Sequence, residues 1–161
     1  MKATGLQRFI QRLAAMRFNS WWLSKLLYKI DPIVMKRSGG KRSLTSSLTG
    51  LPVLILKVKG AKSGLVRRTP LVGLFNKGKI ILIASYFGKS KHPAWYHNIK
   101  ANPKVQVEFK GIEKDYRAFE AQGKERQKYW ELAENFFVGY KNYKKLAGDR
   151  QIPVMVLELI N

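Results

Sequence analysis

The pattern of apolar and polar positions changes character near residue 45. Before it, Leu6, Phe9, Ile10 and Leu13 recur at helical spacing through Arg17, with Lys2, Arg8, Gln11 and Arg12 off the stripe. An Asn19-Ser20 cap then precedes a second helical segment from Trp21 to Ile30, carrying Trp22, Leu23, Leu26 and Leu27. Asp31-Pro32 opens a short turn, and residues 36–43 read as a basic glycine-containing linker. After it the period shortens. Residues 51–58 form a continuous apolar run, residues 66–75 alternate around Thr69-Pro70, and Asn76-Lys77-Gly78-Lys79 is a hairpin turn into residues 80–85. Pro93 starts a helix to Ala101. Val105, Val107 and Phe109 alternate with polar residues before a Lys110-Gly111 turn and a strand through Phe119. Tyr129, Leu132, Ala133 and Phe136 mark the buried stripe of a helix, and residues 152–159 a closing strand. Hairpin-linked strands with few helical crossovers predict an α+β fold on a mostly antiparallel sheet curled into a small barrel. The domains expected are a basic amphipathic extension, 1–45, and a compact domain, 46–161.

Composition narrows the chemistry. The chain has 161 residues, 45% of them hydrophobic and 12% aromatic, which is one core-forming domain. It lacks cysteine, which removes disulfides, thiolate metal sites and cysteine nucleophiles. Its two histidines, His92 and His97, fit neither the i, i+4 metal pair nor the H-E-x-x-H pattern, so no metal site is expected. No apolar run approaches the roughly 18 residues of a membrane span. Arg8, Gln11, Arg12 and Arg17 break the segment where a signal-peptide core would lie, so a cytoplasmic location is expected.

Charge adds a question about partners. There are 31 Lys and Arg against 10 Asp and Glu, a net of +21. Residues 1–107 hold 21 of the bases and one acid, Asp31, whereas residues 108–161 hold 10 bases and 9 acids. Such asymmetry points to nucleic acid, anionic lipid or an anionic ligand. The bases are spread over helix, linker and loop without a helix-turn-helix, zinc-finger or RNA-recognition signature, so no specific nucleic acid is expected.

Three segments carry candidate chemistry. Gly73-Leu-Phe-Asn-Lys-Gly78-Lys79-Ile80 nearly spells a P-loop, but Ile80 replaces the hydroxyl that holds magnesium and the segment lies between strands. It is a hairpin turn. In residues 57–71, Gly60 and Gly64 permit tight turns that aim N–H groups at one anion. Lys62, Ser63, Arg67 and Arg68 add donors for phosphate or carboxylate, although a solvated basic hairpin fits the same residues. In residues 84–103, Ala84-Ser85-Tyr86-Phe87-Gly88 ends a strand and Pro93 starts a helix, which offers exposed amides to a flat anionic heterocycle. Trp95 and Tyr96 either stack on it or fill the core.

With His92-Pro93-Ala94-Trp95-Tyr96, Asn98, Ala101-Asn102-Pro103, Gly139-Tyr140, Tyr143 and Ile152-Pro153-Val154, the chain resembles the deazaflavin-dependent nitroreductases. These are small split-β-barrel oxidoreductases of the flavin/deazaflavin superfamily, and the likeness runs from about residue 51 to 159. Three positions depart from the family pattern. Val58 replaces a threonine, Phe87 the first glycine of a pair, and Phe137 the first of three tyrosines. The resemblance implies coenzyme F-420, with FMN as the alternative. Its phosphate and acidic tail would lie on Gly60, Lys62, Ser63, Gly64, Arg67 and Arg68, followed by Thr69 and Pro70. Its ring would be bordered by Ala84, Ser85, Gly88, Pro93, Trp95 and Asn98.

Tyr140, Tyr143 and Ser85 are the implied catalytic residues, the two phenols shaping the acceptor pocket and donating a proton. The implied reaction is hydride transfer from reduced deazaflavin to a quinone-like, nitro or conjugated acceptor. The alternative is a non-catalytic split barrel that carries FMN, a tetrapyrrole or a fatty acid, for which Phe87 and Phe137 make a greasier pocket. Residues 1–45, with ten bases, Asp31, and the rings of Phe9, Phe18, Trp21, Trp22 and Tyr28, either dock on the barrel or anchor it to an anionic membrane. A peripheral site at the inner face of the cell membrane and a homodimer complete the expectations.

Overall fold

A computed structural model describes residues 44–160, so the two helices expected before residue 31 and most of the basic extension lie outside the described residues. A short helix, α1 (Leu44–Thr49), leads into seven strands: β1 (Val53–Lys59), β2 (Val66–Val72), β3 (Leu74–Asn76), β4 (Lys79–Ile83), β5 (Lys104–Phe109), β6 (Ile112–Glu120) and β7 (Val154–Leu159). The helices among them are α2 (Ala94–Ala101), α3 (Gly123–Phe136) and α4 (Gly139–Leu146). The sheet runs β2-β1-β5-β6-β7-β4-β3, with every pairing antiparallel. Both expected hairpin turns form, Lys77 with Gly78 and Lys110 with Gly111 taking the paired left-handed geometry of tight hairpins. The two sheet edges, β2 and β3, are separated in the chain by Gly73 alone, so the sheet must curl until its edges meet on one bent strand. A Cβ at Gly73 would lie 2.5 Å from Leu54 Cδ2, so a larger residue at the bend would have to displace the buried Leu54 side chain. The result is the expected split barrel.

Strand alternation sorts the core into two layers. Leu54, Leu56, Val58, Leu82, Val107, Met155 and Leu157 fill the barrel interior, and helix α2 closes it with Trp95 and Ile99. On the opposite face, Ile81, Ile83, Val154 and Val156 are covered by α3 and α4 through Tyr129, Trp130, Ala133, Tyr140 and Tyr143. The stripe expected on α3 needs one correction. Leu132 is 37% exposed while Trp130 is buried, its indole N–H reaching back to solvent through Glu134 Oε1 at 2.8 Å. The larger ring gains more from burial once its single donor is satisfied.

Candidate functional site

The expected site residues gather at the two ends of α2, whose eight residues span about 12 Å. At its C-terminal end lies the loop 60–65. Asn98 Oδ1 accepts the Ala61 N–H at 3.0 Å, and Asn102 Nδ2 donates to the Lys59 carbonyl at 3.0 Å, so two carboxamides tie the loop to the helix. Asn98, expected at the ring, is in this structure bonded to the loop 60–65. The loop's own amides are largely spent. Gly60 donates to Leu65 O at 2.8 Å and Gly64 to Gly60 O at 2.9 Å. What the loop offers an anion is side chains instead: exposed Lys62 and Arg67, with Arg67 Nη2 donating to Ser63 Oγ at 3.3 Å. Neither Lys62 nor Arg67 has a carboxylate partner among the described residues.

The two arginines expected to act together are separated by the strand pleat. Arg67 stands opposite Val58 and shares the barrel-interior face with Thr69. Arg68 and Pro70 face outward, where Arg68 Nη2 lies 2.9 Å from Glu108 Oε2 and Lys57 joins the same carboxylate at 3.1 Å. Lys57 also bonds Glu113 and is raised above its ordinary pKa chiefly by that contact. Arg68 is thus paired with Glu108 on the outward face, while Arg67, on the other face, has no such partner among the described residues.

At the N-terminal end of α2 sits the turn 85–88. Ala84 and Ser85 are buried, and beyond them Tyr86, Phe87 and Gly88 are consecutively left-handed, with φ of 49, 56 and 75°. For the two non-glycine residues that conformation costs roughly 1–2 kcal/mol each. Strain of this kind persists where the surroundings impose it. One constraint is Gly88, whose missing Cβ would fall 2.4 Å from Leu146 Cβ and 3.0 Å from Tyr143 O, pressing the turn against α4. The other is Arg150, which the sequence reading did not single out. Its guanidinium donates to Ser85 O at 2.6 Å, Lys89 O at 2.8 Å and Ala84 O at 3.3 Å, and meets His92 Nδ1 at 3.0 Å.

The remaining expected residues are less accessible. Trp95 is 7% exposed within the barrel core, which is the core-filling outcome. Pro93 is buried and supplies the extended residue before α2. Tyr140 and Tyr143 lie in the helical layer, 5% and 7% exposed, and burial pushes the Tyr143 phenol up to about 12. Tyr140 is raised too, by burial and then by its neighbour Tyr143. A phenol so reluctant to ionise is a poor acid near neutral pH. Tyr143 still borders the turn, since the half-exposed Phe87 ring meets it edge-on at 5.8 Å. An open cleft of about 650 Å³ between Lys104, Asp115, Arg117 and Glu158 contains none of these residues.

The model of the family described as F420H(2)-dependent quinone reductase matches residues 28–159, beginning inside the segment expected as an extension. An F420H(2)-dependent quinone reductase of Mycobacterium tuberculosis is 32% identical over 109 residues, covering 66% of this chain and 72% of the relative. Among solved structures, the F420-H2 dependent reductase FDR-A superposes with a TM-score of 0.61 at 40% identity, over 66% of this chain and 94% of its own. A chain described as a domain-swapped dimer gives 0.64 at 33% identity, over 86% and 98%. The heme storage protein HutZ of Vibrio cholerae, at 0.52 and 11% identity over 80% and 89%, shares the fold alone.

Proposed function

The chain belongs to the F420H(2)-dependent quinone reductase family, and from that premise we propose that it reduces a quinone with coenzyme F-420 laid along α2, tail on the loop 60–67 and ring at the turn 85–88. Membership makes it an oxidoreductase with coenzyme F-420 as its cofactor. The observation that carries the finer reading is the pairing of one unneutralised cationic loop and one strained turn at opposite ends of a single helix. The donor set suits the group: Lys62, Arg67 and the Ser63 hydroxyl can engage a phosphate and carboxylates without first breaking an ion pair.

Bound in the reduced form, the coenzyme supplies a hydride. The chain's own part is to bind and orient. Lys62 and Arg67 fix the anionic tail, Asn98 and Asn102 hold the loop in reach, and the turn offers its backbone and the Phe87 ring to a flat partner. Tyr143 backs Phe87 and excludes water beneath it. An anionic membrane contact through residues 1–45, and a homodimer, belong to the same proposal. The dimer has support from the 33% identical chain described as a domain-swapped dimer.

Parallel titrations with coenzyme F-420 and FMN, followed by turnover of the reduced coenzyme with a quinone panel and a nitroimidazole, test the reading. Saturable binding of coenzyme F-420 and loss of its reduced-form absorbance on adding quinone is the expected result. Tight FMN binding with no deazaflavin binding would overturn the cofactor placement, and binding without turnover would favour a carrier. Co-sedimentation with anionic vesicles, reversed by salt and lost on removing residues 1–45, tests the membrane contact.

A further inference from the structure

The Arg150 guanidinium spends its donors on one short stretch of chain. It reaches three carbonyls, Ala84, Ser85 and Lys89, and one imidazole, His92, all between the end of β4 and the start of α2. These are the residues that bracket the left-handed triplet Tyr86, Phe87 and Gly88. A planar fork with donors fixed in direction holds such a stretch in one shape, which a flexible ammonium does not. We propose that Arg150 is the positioning residue of the coenzyme ring site, clamping the turn 85–88 in its strained form, and that His92 makes the clamp sensitive to acid. The proposal rests on the reading of that turn as the ring's border.

The acid sensitivity follows from donor and acceptor roles. Arginine stays protonated, so Arg150 Nη1 can only donate and His92 Nδ1 must accept at 3.0 Å. Only neutral imidazole can do so. Protonation would turn an N–H toward an N–H and bring two cations together. The other groups facing His92 are His97 and Tyr96 on α2, with ring centroids at 6.0 and 4.9 Å, and Glu120 on β6. His92 is held below the usual imidazole range first by burial, then by Arg150 and His97, against a smaller opposing pull from Glu120. Because the folded value lies below the unfolded one, the clamp is intact above pH 6.5 and fails as the pH falls through the folded value.

The test uses the full chain and three variants, Arg150→Met, Arg150→Lys and His92→Gln. In the coenzyme-free protein, the Gly88 and Lys89 amides, bonded to Ser85 O at 3.0 Å and Tyr86 O at 3.1 Å, should exchange with solvent at least tenfold faster in Arg150→Met. Amides of the loop 60–65 should be unchanged. Quinone turnover should fall at least tenfold in kcat, with coenzyme affinity altered less than threefold because the tail loop is untouched. Arg150→Lys should not restore it, whereas added guanidinium ion should in part. His92→Gln, whose carbonyl can still accept from Arg150, should shift the acid limb of the activity profile down by at least one pH unit. Unchanged Gly88 and Lys89 exchange in a folded Arg150→Met protein, or an acid limb unmoved in His92→Gln, overturns the proposal. Should Arg150→Met not fold, the His92→Gln profile decides. Failure of the wild-type chain to bind coenzyme F-420 would instead sink the proposed function, while the amide-exchange result would still report on the clamp.

Discussion

The loop 60–67 and the turn 85–88 are held in place by opposite means. The loop is exposed, its cations face solvent, and two asparagine side chains, Asn98 on α2 and Asn102 just past its end, tie it down. The turn is strained and half-sunk, pinned by a glycine contact with α4 and by one partly buried guanidinium. A flexible polyanion needs charge density and tolerates movement, whereas a flat ring about to react needs fixed geometry. The two ends of α2 are built for those different demands. Substitutions should therefore separate stability from affinity: changes at the turn register in folding, and changes at the loop register in binding.

Gly88→Ala should have the largest effect. A methyl there combines a left-handed backbone with overlap against Leu146 and the Tyr143 carbonyl, so thermal unfolding should show a loss of about 3 kcal/mol. A variant as stable as the wild type would mean that α4 yields freely and the turn is not pinned. Next comes the double substitution Lys62→Ala, Arg67→Ala. Coenzyme F-420 affinity should weaken roughly 10- to 100-fold, about 1.4–2.7 kcal/mol, with the unfolding midpoint unchanged. Arg68→Ala, on the outward face with Glu108, is the control and should cost less than twofold. Equal losses from Arg67 and Arg68 would erase the distinction between the two sheet faces.

Phe87→Gly should have the smallest effect, and of opposite sign. Glycine adopts the 56° φ without penalty, so relief of strain outweighs its greater unfolded-state entropy and the protein gains about 1 kcal/mol by denaturant unfolding. Destabilisation instead would show that the Phe87–Tyr143 edge contact contributes more than the backbone strain costs.

Much of the fold was legible in sequence because its signals are local. Lys77-Gly78 and Lys110-Gly111 mark turns by their left-handed tolerance, and Pro93 marks the start of α2 by its missing N–H. The separation of Arg67 from Arg68 was also within reach, since any strand over residues 66–72 sends neighbours to opposite faces. Arg150 was not. Its partners precede it by 58 to 66 residues, and nothing in Asp149-Arg150-Gln151 distinguishes it from a solvated base. The choice of Trp130 over Leu132 escaped periodicity for a related reason, because it depends on Glu134 being placed to accept the indole N–H. Helix α4 was visible only as a run of aromatics, since Lys141, Lys144 and Lys145 make it strongly polar outside its two buried tyrosines.

The position of β7 has a consequence for how the chain is made. Although it follows every other strand in sequence, it lies between β6 and β4 and pairs with both. Without it the sheet falls into two parts, β2-β1-β5-β6 and β4-β3, each ending in an unpaired row of amides and carbonyls. Such edges recruit strands from other chains. Productive closure must therefore wait for translation to reach residues 154–159, so slow elongation across α3 and α4 would lengthen the period in which misassembly competes with folding.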